Sequence, residues 1–134
     1  MKKIIFLLAI TIASYGCKKE NPVTNSSRLI GEWSWLSTCA GNTDCLTPGT
    51  THNSINVVFT VDSVYNYYLN DTLRLSHRFR TFQSISESSK DTLYFINFES
   101  AGVERYLITH DTLSLFNDDP NILISNSSRY KRIK

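Results

Sequence analysis

The fold is decided by residues 54–82, Ser54-Ile55-Asn56-Val57-Val58-Phe59-Thr60-Val61-Asp62-Ser63-Val64-Tyr65-Asn66-Tyr67-Tyr68-Leu69-Asn70-Asp71-Thr72-Leu73-Arg74-Leu75-Ser76-His77-Arg78-Phe79-Arg80-Thr81-Phe82. Ile55, Val57, Phe59 and Val61 alternate with their neighbours, and Leu73, Leu75, His77 and Phe79 alternate with Arg74, Ser76, Arg78 and Arg80. A period of two sends successive side chains to opposite faces of a strand. Valine, isoleucine, threonine, tyrosine and phenylalanine fit that pleated geometry. Asp62-Ser63 and Asn70-Asp71 are turn formers. The stretch therefore predicts three strands, 54–61, 64–69 and 72–82, joined by tight turns.

The same period extends in both directions. Upstream, a strand over about 29–38 places Gly31, Trp33 and Trp35 on one face, and a polar loop at 43–53 holds Pro48-Gly49. Downstream, a polar turn at 84–90 precedes strands at 92–98, 103–109, 112–116 and 122–133. Asp118-Asp119-Pro120-Asn121 reads as a turn rather than a cation site. No window beyond the N-terminal segment has a helical period. Short connections between sequential strands predict an all-β, eight-stranded antiparallel up-and-down barrel, whose closure removes exposed edges. An open sandwich is the other architecture of this size. The inward set of a barrel would be Trp33, Trp35, Ile55, Val57, Phe59, Leu73, Leu75 and Phe79.

The N-terminus is different. Lys2 and Lys3 precede an apolar run from Ile4 to Ala13. Ten residues at ~1.5 Å each cover about half of a ~30 Å hydrocarbon core, too little for a spanning helix. Residues 1–16 therefore read as a signal peptide. Ser14-Tyr15-Gly16-Cys17 resembles the lipobox of bacterial lipoproteins, with Ser14 where leucine is preferred. Cys17-Lys18-Lys19-Glu20 resembles the start of mature lipoproteins of the Bacteroidota. The resemblance implies a diacylglycerol on Cys17 and a membrane partner reached through that lipid. Lys18 is not the inner-membrane retention aspartate of enteric lipoproteins, so it also implies the outer membrane, with the periplasmic and surface faces both open. An ordinary secretory signal is the alternative. Residues 17–28, polar and containing Pro22, read as a flexible tether, and 29–134 as the barrel.

The chain of 134 residues carries 14 Lys+Arg and 12 Asp+Glu, a formal charge of +2. Loss of residues 1–16 removes two lysines and no acid, so the remainder is neutral. Such a balance leaves no electrostatic footprint for nucleic acid. With Cys17 assigned to lipid, Cys39 and Cys45 remain. Gly41-Asn42 and Asp44 can turn the short loop between them, and an exported domain meets oxidising conditions, so a disulfide is expected. Two free thiols or half a metal site are the alternatives. No Cys-x-x-Cys is present and His52, His77 and His110 are scattered, so no metal or cofactor is expected.

Asp71-Thr72-Leu73, Asp91-Thr92-Leu93 and Asp111-Thr112-Leu113 recur every twenty residues, with Asp62-Ser63-Val64 as a relative. Geometrically, each is a turn followed by a strand start. The triplets also resemble O-glycosylation acceptors of Bacteroidota envelope proteins, which implies modification of Ser63, Thr72, Thr92 and Thr112 at one end of the barrel.

Leu29-Ile30-Gly31-Glu32-Trp33 contains a Gly-x-Trp, and Tyr130-Lys131-Arg132 lies near the end of the chain. Between them come Phe59 to Asp62, Tyr65, Tyr68 and Asp111 to Leu113. This ordered set, over about residues 28–134, resembles the lipocalin-like domains of Bacteroidota lipoproteins, which have calycin-like barrels. The resemblance implies a structural latch of Gly31, Trp33 and Arg132, with the arginine over the indole; Arg129 is the second choice. It also implies a small hydrophobic ligand in the barrel. Trp35, Phe59, Tyr65, Tyr67, Tyr68, His77 and Phe79 are the candidate contacts. Bulky side chains can instead fill so small a barrel, which would make it an envelope interaction or structural module. No Gly-x-Ser-x-Gly, His-Glu-x-x-His or phosphate loop occurs, and no enzymatic activity is expected.

Overall fold

The computed structural model describes residues 25–41, 43–117 and 126–134. The leader, Cys17 and the Asp118-to-Asn121 turn lie outside them. A short helix α1 (Asn25–Leu29) leads into β1 (Gly31–Ala40). A helical turn α2 (Pro48–Thr51) follows, then β2 (Ile55–Phe59), β3 (Val64–Leu69), β4 (Thr72–Ile85), β5 (Thr92–Phe98), β6 (Gly102–Thr109), β7 (Thr112–Asn117) and β8 (Asn126–Arg132). Each strand pairs antiparallel with the next, and β8 returns to β1 to close an eight-stranded barrel.

The turn chemistry explains the meander. Asn70 and Asp71 have φ of 50° and 60°. Two successive positive φ values define the hairpin turn whose twist matches the strands, and Asn and Asp tolerate that region. At the β2–β3 turn, Ser63 has φ 61°, and the Thr60 hydroxyl accepts from the Val64 amide at 3.1 Å.

Four features depart from the sequence reading. Residues 25–28, read as the last part of the tether, form α1, because Leu29 is fully buried and anchors them. α2 is a single turn, too short to show a period; Pro48 starts it and Thr47 caps it reciprocally with Thr50. β4 runs on to Ile85, pairing with β3 over its first half and with β5 over its second. Finally, a bulge where β4 faces Tyr67 and Tyr68 pairs Leu75 with Tyr67 but Leu73 with Tyr68. The extra residue reverses the alternation. Leu73, assigned to the interior by strict alternation, is 50% exposed on the outer wall.

A second bulge lies between Trp35 and Ser37 on β1. It leaves Leu36 exposed and brings Thr38, not Ser37, opposite Ser128. The Thr38 hydroxyl accepts from the Trp35 indole N–H at 2.9 Å and bonds Ser128 Oγ at 2.8 Å. Trp33, Val57, Phe59, Ile96 and Leu113 fill the interior. Phe59 meets Tyr65 at 5.1 Å and Phe79 edge-on at 5.2 Å, and Tyr65 meets Phe98 at 4.8 Å. Such contacts add roughly 0.5–1.5 kcal/mol each beyond burial.

Cys39 and Cys45 form a disulfide between the end of β1 and the following loop. Thr38 and Leu46 exchange backbone hydrogen bonds of 2.9 and 2.8 Å beside it. Chain entropy for a loop this short predicts that Cys39→Ser with Cys45→Ser costs about 2 kcal/mol, read from urea unfolding, with the β-sheet circular dichroism retained. An unchanged midpoint would mean that the loop is held by the Thr38–Leu46 pairing alone.

Candidate functional site

The two ends of the barrel are built differently. At one end Trp33 and Arg132 face each other across the β1–β8 seam, with the guanidinium carbon 4.1 Å above the indole. Arg132 Nη1 donates to the Ile30 carbonyl at 3.0 Å, and Nη2 donates to the Arg28 carbonyl. The Trp33 indole N–H donates to the Leu29 carbonyl at 2.9 Å. One arginine and one tryptophan thus hold the carbonyls of three successive residues. Gly31 has φ +138°, and a Cβ there would collide with the Lys134 carbonyl and lie 2.7 Å from Arg132 Nη1. Only glycine suits that conformation and that approach. Arg129 pairs on the other register and is exposed.

The other end holds a cup inside the barrel, with a volume of about 150 Å³. Tyr65, Leu75, His77, Phe98, Glu104, Leu115, Ser128 and Tyr130 form its wall, and Ala101 of the β5–β6 turn sits at its mouth. Register explains the set: directly paired residues share a face. Tyr65 pairs with His77, Tyr67 with Leu75, Leu113 with Tyr130 and Leu115 with Ser128. Glu104 pairs with fully buried Ile96, so its carboxyl is carried inward.

Of the seven residues expected to contact a ligand, the cup brings together Tyr65 and His77. Tyr67 packs beside them. Phe59 and Phe79 lie behind Tyr65 and Phe98 in the aromatic cluster. Trp35 is spent on Thr38. Tyr68 is on the outer wall with Glu32, Asn56, Val58 and Asp71, because β3 alternates and its neighbour Tyr67 faces inward. The interior is also more polar than the apolar set read from the sequence. Glu104, Ser128 and Tyr130 were missed, although Glu104-Arg105 carries a signal: consecutive charged residues in a barrel strand cannot both face water.

Burial raises the Glu104 carboxyl above its usual 4.5, and no positive charge offsets the effect. Burial likewise pushes the Tyr65 and Tyr130 hydroxyls far up, and the Glu104 charge adds to both. Tyr106 is pushed up to about 12 by burial and by Tyr94. These tyrosines are neutral donors at physiological pH.

A larger cleft of about 440 Å³ lies on the outer wall where β3 and β5 both leave β4, lined by Asp62, Ser63, Arg78, Arg80, Asn97 and Glu99 among others. With Phe79 as the one apolar residue in its described lining, it is a weaker site than the cup. Among the described residues no three His, Cys, Asp or Glu side chains gather to hold a metal. Ser63, Thr92 and Thr112 lie at the latch end, whereas Thr72 follows the β3–β4 turn at the opposite end. The expected single glycan-bearing end is therefore split, because Thr72 opens an even-numbered strand and Thr92 and Thr112 open odd-numbered ones. The chain matches no family model, and no curated protein or solved structure shows significant similarity to it.

Two outcomes are expected. Arg132→Met removes two charge-assisted hydrogen bonds and a cation–π contact, costing about 3 kcal/mol after water re-solvates part of the rim. Arg132→Lys should recover less than half of it in denaturant unfolding, since an ammonium cannot span two carbonyls as a guanidinium fork does. Full recovery by lysine would reduce the latch to a point charge. The second concerns Glu104. A carboxyl that holds its proton more tightly in the folded state costs stability as pH rises above its unfolded value. Glu104→Gln should therefore raise the thermal midpoint relative to wild type at about pH 7 and leave it nearly unchanged at about pH 4. An equal effect at both pH values would contradict this charge-based account.

Proposed function

We propose that this chain is a lipid-anchored bacterial envelope protein, tethered through Cys17 to the outer membrane, whose lipocalin-like barrel binds a small ligand without catalysing a reaction. The observation that supports this reading best is the cup: a concave wall with apolar Leu75, Phe98 and Leu115 and polar groups on Tyr65, His77, Glu104 and Tyr130. Binding sites combine an apolar lining with a few placed polar groups in this way. A ligand would enter past Ala101 and Leu75, which is 40% exposed at the mouth.

The size of the cup sets the scale of the cargo. At about 30 Å³ per water molecule, the cup has room for roughly five, which suits a ligand of similar heavy-atom count. The aromatic cluster of Phe59, Phe79 and Phe98 occupies the space that a larger apolar cargo would need. That filling favours a small amphipathic ligand over a long-chain lipid. No nucleic acid partner is proposed.

Native mass spectrometry of the full-length protein, extracted from the envelope in mild detergent, tests both halves of the proposal. The expected spectrum carries diacylglycerol on Cys17 and a small non-covalent adduct that is lost on collisional activation. Cys17→Ser should lose the lipid mass and leave the membrane fraction. A lipidated protein without any adduct at any activation energy would instead support the filled-barrel module.

A further inference from the structure

Among the described residues of the cup wall, Glu104 carries the one acidic group, and the groups sharing that wall do not neutralise it. Tyr65 and Tyr130 bring hydroxyls and ring faces, Ser128 brings a hydroxyl already bonded to Thr38, and Leu75, Phe98 and Leu115 bring hydrocarbon. His77 is the only basic side chain among the described residues of the wall. No ion pair to Glu104 forms among the described residues.

A carboxylate set among aromatic and aliphatic groups is only partly hydrated and has no counter-ion among the described residues, which is costly unless something bound supplies the charge. Tyrosine ring faces attract a cation further. We infer that the cup takes a small protonated amine, with its ammonium on the Glu104 carboxylate and its hydrocarbon part against Leu75, Phe98 and Leu115. The inference rests on the small-ligand reading and narrows it to a ligand class. The raised carboxyl pKa agrees with it, because a bound cation would restore the ionised form that burial disfavours. An anionic ligand would meet the carboxylate as a like charge. A neutral one would leave the carboxyl either protonated or unpaired.

The probe is n-butylamine, whose five heavy atoms match the cup, compared with 1-butanol, which has the same skeleton and no charge. Both are titrated into the folded protein at neutral pH and followed by amide and methyl chemical shifts. The amine should bind at least about tenfold tighter than the alcohol, the worth of one charge-assisted hydrogen bond. Shifts should centre on Leu75, Phe98, Glu104 and Leu115. Glu104→Gln should abolish the preference for amine over alcohol. Equal affinity for amine and alcohol in the wild-type protein would sink the cation assignment and leave the small-ligand cup standing. Binding of neither probe would overturn both. Should Glu104→Gln fail to fold, the wild-type comparison of the two probes still decides the matter.

Discussion

Closure of β8 onto β1 is the constraint on which the rest of this molecule depends. A sheet of eight strands left open would expose two edges and half of an apolar face; joining the edges removes both problems. The seam is made at Trp33 and Arg132, which face each other in register. The guanidinium fork and the indole N–H between them hold the carbonyls of Arg28, Leu29 and Ile30, so the chain entering the barrel is fastened to the strand that ends it. Gly31 lets the backbone pass close enough for this to happen. α1 is ordered by the same contacts, since its last residue, Leu29, is buried beneath them.

Closure also dictates the composition of the interior. Once the strands form a ring, each second residue of each strand must face inward, whatever its chemistry. Most of β1, β2 and β5 meets this demand with Trp33, Trp35, Val57, Phe59, Ile96 and Phe98. β6 does not. Its phase is set by Tyr106 and Ile108, both buried, and that phase carries Glu104 inside and Arg105 outside. Arg105 finds the ring of Phe116 on the outer wall at 4.1 Å, whereas Glu104 faces the cup on the wall it shares with Tyr65 and Tyr130. The cup is thus the place where closure forces a charged residue into the interior and the surrounding side chains are too few to cover it.

The strands were legible because a period of two over many residues has no other physical reading, and the turns because Asn70-Asp71 and Asp62-Ser63 suit left-handed backbone. The disulfide was legible from the spacing of Cys39 and Cys45 and the turn formers between them. What escaped were single-residue events. The bulge at Trp35–Ser37 and the one facing Tyr67–Tyr68 each add one residue to one strand, and nothing in composition marks them. One moves Thr38 inward to receive an indole N–H; the other moves Leu73 outward. The short helices α1 and α2 were invisible for a related reason: one is fixed by tertiary contacts and the other by a local cap, and neither is long enough to repeat. Glu104 was legible in principle from its neighbour Arg105, but Val103 and Leu107 on the opposite face blur the phase that Tyr106 and Ile108 set.

The two ends divide the energetics as well as the geometry. At the latch each polar group that turns inward is answered: indole by carbonyl, guanidinium by two carbonyls and a ring. At the cup the carboxyl is not answered, and its burial opposes folding at neutral pH. A barrel whose seam is held this firmly can carry a destabilising group at its other end without opening. A group retained at such a cost inside a cavity is where a binding function is most economically sought, because stability and recognition then compete for the same side chain. The latch and the cup are therefore coupled through the stability of one ring: strengthening the seam makes an uncompensated charge tolerable, and a ligand that compensates the charge strengthens the ring in turn.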